Sequence, residues 1–111
     1  MHELSVATSV VDLALQHTGG RKLTAVNLAV GANAGIFRES LLLYMGLVLE
    51  EKGIKDVKVA WRDVPMHCRC DCGTEYDILR YMDTCPSCGS FQRAMEGGRD
   101  CTVDSIEVED V

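Results

Sequence analysis

A chain of 111 residues has room for one compact core, and any further unit must be a small appendage with its own staple. Hydrophobic residues at 47% and charged residues at 25% match ordinary globular domains and exclude the disordered classes. A formal net charge of -6, with no local run of Lys and Arg to reverse it, repels phosphate and argues against nucleic acid as a ligand.

The opening MHELSVATSVVDLALQ carries carboxylates at Glu3 and Asp12 and lacks the basic and apolar regions of a signal peptide. No stretch approaches the roughly 20 apolar residues that cross a bilayer, so a cytoplasmic protein with no membrane partner is expected. Leu4, Ala7, Val11, Ala14 and Leu15 recur at helical spacing and predict a first helix over Leu4 to Leu15, stopped by Gly19-Gly20. Val26, Leu28 and Val30 then alternate as in a half-buried strand, and Gly31 and Gly35 bracket a turn. The strongest helix is predicted from Arg38 to Lys52, with Leu41, Leu42, Met45, Val48 and Leu49 on one stripe and Gly53 at the C-cap. Gly46 inside it costs about 1 kcal/mol relative to Ala.

Val57, Val59 and Trp61 alternate with Lys58 and Arg62 in a second strand, which Pro65 ends. Ile106 and Val108 alternate with Glu107 and Glu109 in a third, whose carboxylates, with Asp110, read as a solvated face. These elements predict an α+β fold: two helices packed on a three-stranded sheet, formed by residues 1–65 plus 103–111. From 66 to 102 the hydrophobic periodicity vanishes, so this segment is expected to lack an apolar core and to fold as an inserted zinc-ribbon minidomain held by four cysteines. Gly97-Gly98 reads as its return hinge, and Cys101 as a small core hydrophobe.

Five of the six cysteines fall between Cys68 and Cys88, and in a reducing compartment such a cluster points to metal ligands, not disulfides. Cys85-Pro-Ser-Cys88-Gly89 fits a zinc knuckle, in which a tight turn aims both thiolates at one ion and Gly permits the positive φ that follows. The other half, Cys68-Arg-Cys70-Asp-Cys72-Gly73, is less regular, because a normal Cys-x-x-Cys would place a thiol at position 69, where Arg69 stands. Cys72 precedes Gly73 as the second knuckle cysteine should. Cys70 is its nearer partner, and Cys68 could substitute through a longer turn. Four thiolates around Zn(II) leave no open coordination position, which marks a structural site. His67 adjoins the cluster and reads as an exposed loop residue.

His2 is chemically special if the chain begins at Met1, because the α-amine, the His2 backbone nitrogen and the imidazole can then chelate one ion. Nitrogen-rich tetragonal coordination suits Ni(II) and Cu(II), and Glu3 can add a carboxylate. A second-position histidine alone is more often a frayed, exposed residue.

The start MHELS, the LAVG turn followed by a helix, the C-G…CPSCGS ribbon and the closing SIEVE resemble the HypA/HybF family of hydrogenase nickel-incorporation proteins, in that order and over essentially the whole chain. The resemblance implies a nickel metallochaperone for [NiFe]-hydrogenase maturation, with transported Ni(II) at His2, the N-terminal amine and Glu3. It implies structural Zn(II) at four ribbon cysteines, and counting from Pro65 puts Cys70 at the family's usual first ligand position, so that the set reads Cys70, Cys72, Cys85 and Cys88. The implied partners are a nickel-loading GTPase and the hydrogenase large subunit, and the chain is expected as a monomer or weak homodimer. The one-residue spacer before Cys72 departs from the family's usual Cys-x-x-Cys, as does the small-residue turn Gly31-Ala-Asn-Ala-Gly35 from the family's bulkier apolar one.

Two other classes compete with this reading. A zinc-ribbon module for protein or nucleic acid would share the CPSCG knuckle, but the chain lacks a basic, aromatic-rich face. An enzyme would need more than a spare thiol such as Cys68: there is no phosphate loop or catalytic carboxylate pair, and His17 reads as a helix cap. No catalytic activity is expected. The five Met residues are dispersed, as core filler would be.

Overall fold

The computed structural model describes residues 3–80 and 82–110, so the expected ligand His2 lies outside the described residues. The elements in chain order are α1 (Glu3–Gln16), β1 (Leu23–Gly31), α2 (Arg38–Glu51), β2 (Lys58–Val64), β3 (Met66–Cys70), β4 (Glu75–Ile78), β5 (Arg93–Glu96) and β6 (Cys101–Val108). Two three-stranded sheets result, ordered β2-β1-β6 and β4-β3-β5. By contacts the chain divides into two compact units, Met1–Ala29 with Ile36–Arg62 and Thr102–Val111, and Val30–Gly35 with Asp63–Cys101.

In the first unit α1 buries Val6, Val10 and Ala14 at i, i+4 and i+8, together with Ala7 and Val11. Ala7, Val11 and Ala14 of the expected stripe are thus buried, but its edge is shifted: Leu4 is half exposed, and Val6 and Val10 face inward. Thr18 Oγ1 donates to the Leu15 carbonyl at 3.2 Å and closes the last turn, and Gly19 and Gly20 then take φ of 62° and 82°, which stops the helix. Along α2, Leu41, Met45, Val48 and Leu49 are buried, and the helix packs against α1. Its end is a Schellman-type cap, with Gly53 N–H bonded to the Glu50 carbonyl at 2.9 Å and Ile54 N–H to that of Leu49 at 2.9 Å.

Strand β1 is central in its sheet. Val26, Leu28 and Val30 form the period-two apolar face expected of it. The alternate positions include the small, buried Ala25 and Ala29, with Asn27 between them donating its amide to Ser105 Oγ at 2.9 Å. Across that same strand, Arg62 of β2 forks onto both carboxylate oxygens of Asp104 in β6 at 3.0 to 3.3 Å. Glu107, Glu109 and Asp110 are all exposed. Cys101 is only partly buried and opens β6, so it is an edge residue and not the core hydrophobe expected.

The second unit corrects the expectation of a segment without an apolar core. Met66, Cys68 and Ile78 are buried together, with Ala32 and Tyr76 packed against them. The periodicity is present but written in sulfur: β3 reads Met-His-Cys-Arg-Cys, and its inward face is Met66, Cys68 and Cys70. His67 sits within this strand, opposite Asp77 of β4 and Glu96 of β5, and is not a loop residue. The turn after β1 belongs to the same unit. Gly31 N–H donates to the Asp100 carbonyl at 2.8 Å and Asn33 N–H to that of Gly98 at 2.6 Å, and a Cβ on Gly31 would lie 2.0 Å from Gly98 O.

Candidate metal centre

Strand β3 delivers Cys70 to a group of four thiols and keeps Cys68 from it. Residues two apart in a strand share a face but stand about 6.6 Å apart along it, so when Cys70 reaches the turn Cys68 is still among Met66, Ile78 and Tyr76. At Cys70 the ladder gives way to a tight turn, with Gly73 N–H bonded to the Cys70 carbonyl at 2.9 Å and Gly73 at φ 93°. That turn carries Cys72. The second turn runs Cys85-Pro-Ser-Cys88-Gly89, closed by Gly89 N–H on the Cys85 carbonyl at 2.8 Å, with Gly89 at φ 73°. Its approach is anchored by Arg93, whose guanidinium donates to the Asp83 carbonyl and, at 3.4 Å, to the Tyr76 hydroxyl.

The Sγ atoms of Cys70, Cys72, Cys85 and Cys88 all lie within 4.8 Å of one another. Cys70 stands 3.4 Å from Cys88 and Cys72 stands 3.7 Å from Cys85. A tetrahedral ion with metal–sulfur bonds of about 2.3 Å requires sulfur separations of about 3.8 Å, so this set fits such an ion without rearrangement of the fold. Cys70 and Cys85 are buried, while Cys72 and Cys88 are exposed, as expected of two knuckles meeting at a surface.

The electrostatics follow from crowding four acids. The Thr74 hydroxyl, and then the Thr74 backbone N–H, hold the Cys72 thiol down to about 6. The backbone N–H of Cys72 favours a Cys70 thiolate, but burial and the neighbouring Cys88, Cys72 and Cys85 outweigh it and push Cys70 up to about 12. Burial also pushes Cys85 up, yet the backbone N–H groups of Cys88 and Ser87 prevail and leave it below the ordinary thiol value. Four thiols this close cannot all ionise by themselves, and a divalent cation is what stabilises them all as thiolates.

Outside the thiol group, His67 Nδ1 lies 2.9 Å from Asp77 and Nε2 lies 3.2 Å from Glu75, which also accepts from Arg69 at 3.2 Å. The Asp77 and Glu75 carboxylates raise the His67 pKa above 6.5. Sequence reasoning does not single out Thr74, whose hydroxyl lies against the Cys72 thiol, or Ser87, whose hydroxyl lies against that of Thr74; a hydroxyl after the Cys-Gly of one knuckle and another inside the second is the available signal. In the first unit, Glu3 is half-buried at the start of α1, and its Oε1 lies 3.5 Å from the Phe37 N–H ahead of α2. His17 is exposed just past the end of α1.

Residues 1–108 match the family described as "Hydrogenase/urease nickel incorporation, metallochaperone, hypA". Similar curated proteins include the hydrogenase maturation factor HypA of Geotalea uraniireducens, 32% identical with 98% of this chain and 100% of that protein covered. That of Chlorobaculum tepidum is also 32% identical, with 98% and 100% covered. The fold is that of the solution structure of the Ni metallochaperone HypA from Helicobacter pylori, with a TM-score of 0.64, 22% identity and 97% of each chain covered.

Proposed function

The chain belongs to the HypA family of hydrogenase/urease nickel-incorporation metallochaperones, and on that premise we propose that it carries Ni(II) to a [NiFe]-hydrogenase during maturation. His2 and Glu3 hold the cargo, and Cys70, Cys72, Cys85 and Cys88 hold a structural Zn(II). The observation that carries the reading is the whole-length family match, together with four thiols gathered within 4.8 Å in a chain of that family.

The division of labour follows from donor chemistry. Soft thiolates in a closed tetrahedral set suit zinc and leave no position for exchange, whereas an imidazole with a carboxylate suits Ni(II) and can release it. Glu3 brings its carboxylate to the N-terminal end of α1, where the helix dipole favours an anion. Its Oε1 accepts from Phe37 N–H, so the other oxygen is available to a metal. Zinc at the thiols would supply a cross-link between the Cys70–Cys72 and Cys85–Cys88 turns. The chain itself places those turns through β3 and through the Arg93 anchor.

Residues 1–65 with 103–111 then serve as the nickel-binding domain and 66–102 as the zinc ribbon, working in the cytoplasm without catalysing a reaction. The partners in this reading are the nickel-loading GTPase and the hydrogenase large subunit. Complementation tests it. In cells lacking the gene, hydrogenase activity should return with the parent chain and fail to return with His2→Ala expressed at the same level; full activity with His2→Ala would overturn the nickel assignment.

A further inference from the structure

The two metal-binding turns are not equivalent. In the second, Cys85 receives the backbone N–H groups of Ser87 and Cys88, two and three residues on. In the first, one spacer residue has been lost, and the amide three residues after Cys70 belongs to Gly73, which is bonded to the Cys70 carbonyl at 2.9 Å. Cys70 keeps the N–H of Cys72, and Cys72 has that of Thr74. The shortened turn therefore uses for its own closure an amide that the regular turn aims at sulfur.

A hydroxyl stands on this side instead. Thr74 Oγ1 lies 3.3 Å from Cys72 Sγ and 3.0 Å from Ser87 Oγ, and Ser87 belongs to the opposite turn. A hydroxyl has a single proton and a free rotor, so the direction of this chain is set by its ends. As a thiol Cys72 donates to Thr74 and Thr74 to Ser87; a metal-bound thiolate only accepts, so there the chain reverses, with Thr74 donating to Cys72 and Ser87 to Thr74.

We infer that Thr74 is a positioning residue of the zinc site, oriented by Ser87, and that its hydroxyl adds a side-chain hydrogen bond at the Cys72 sulfur in a turn that gives Cys70 one amide fewer than the regular turn gives Cys85. This rests on the zinc assignment above. The consequence is a site whose two halves are linked by a hydroxyl pair as well as by the metal. Donation to the Cys72 sulfur withdraws electron density from it and lowers its reactivity toward competing metals and electrophiles, while fixing the χ1 of Cys72 toward the other three thiols. Outer-shell partners of this kind contribute about 10-fold to 100-fold to metal affinity.

The test compares parent, Thr74→Val, Thr74→Ser, Ser87→Ala and Cys85→Ser. Zinc content and the rate of zinc transfer to a chromogenic chelator are measured, and the sulfur-to-cobalt charge-transfer band is recorded after substitution with Co(II). The expected result is one zinc in the parent and in both Thr74 variants, with transfer from Thr74→Val faster by about 10-fold to 100-fold. Its charge-transfer band should move to longer wavelength, because an unbonded sulfur donates more readily. Thr74→Ser should restore parental behaviour, and Ser87→Ala, which leaves Thr74 unoriented, should fall between. A Thr74→Val protein with parental transfer rate and band overturns the inference, as does a Thr74→Ser protein as impaired as Thr74→Val, since then shape and not the hydroxyl matters. Parent protein without zinc, or Cys85→Ser retaining it, overturns the zinc assignment itself. Should Thr74→Val fail to fold, Ser87→Ala decides by the same two readouts, and parental values there overturn the relay.

Discussion

Gly31→Ala and Gly46→Ala make the same chemical change at two places where the structure demands opposite results. A Cβ at residue 31 would stand 2.0 Å from Gly98 O, 2.2 Å from Gly98 C and 2.8 Å from Gly98 Cα. Carbon contacts relax at about 3.5 Å, so the two backbones must separate by more than about 1 Å, and neither neighbour is a side chain that can rotate away. The crossing is held by Gly31 N–H on the Asp100 carbonyl and Asn33 N–H on the Gly98 carbonyl, at 2.8 and 2.6 Å. Each donor left without a partner costs about 1–3 kcal/mol. The crossing is partly open to water, so a loss of about 2–4 kcal/mol is expected, a large share of the roughly 5–15 kcal/mol typical of a domain. At residue 46, exposed within α2, a Cβ meets nothing within 4 Å, and Ala should stabilise by roughly 0.5–1 kcal/mol. Urea unfolding at saturating zinc reads both, since about 1–3 kcal/mol per molar converts the first loss into a midpoint lower by roughly 0.7–4 M. Two shifts of the same sign, or a change below about 0.5 kcal/mol at residue 31, would refute this packing.

Cys70→Ser, Cys72→Ser or Cys88→Ser should each release zinc from purified protein, whereas Cys68→Ser, altering a buried thiol among Met66 and Ile78, should keep zinc and lower stability; loss of zinc from Cys68→Ser alone would reverse that order. His67, raised above 6.5 by Asp77 and Glu75, should contribute stability that is fully present below pH 6.5 and is lost as pH rises through its higher folded value. An NMR titration placing His67 at or below 6.5, or a pH profile unchanged in His67→Gln, would contradict it. Arg62→Ala should cost no more than about 1 kcal/mol, because the bidentate pair with Asp104 is exposed, and a loss above about 2 kcal/mol would show that the outer face of the sheet matters more than its solvation allows.

Where a residue's burial follows from apolar spacing, the sequence is readable. The Leu41, Met45, Val48 and Leu49 stripe and the Val26, Leu28 and Val30 alternation correspond to buried faces of α2 and β1. In α1 large Leu residues draw the stripe toward Leu4, because side-chain size dominates a pattern that packing assigns to Val6 and Val10. The ribbon's own sheet is hidden for a different reason. Cysteines counted as ligands drop out of a hydrophobic pattern, and β3 is inward-facing by virtue of Met66, Cys68 and Cys70, so its period-two signal vanishes when the sulfurs are set aside. The choice between Cys68 and Cys70 is open from spacing alone, since either could reach Cys72 through a turn. What separates them is the rise of a strand, and that requires knowing that β3 extends to Cys70. Thr74 and Ser87 lie beyond a rule that counts ligands alone, because their only signal is a hydroxyl's place beside or inside a knuckle.

In the proposed function nickel is carried at the N-terminal end by His2, and not at the thiols. Ni(II) titration of zinc-saturated protein at neutral pH, parent against His2→Ala, with zinc content followed in the same samples, tests it most directly. The parent should bind nickel stoichiometrically, His2→Ala should not, and both should hold one zinc per chain. Nickel binding by the parent should also weaken as pH falls, because protons compete for the ligand nitrogens. Equal nickel binding by parent and His2→Ala, or nickel taken up at the expense of zinc, would contradict it.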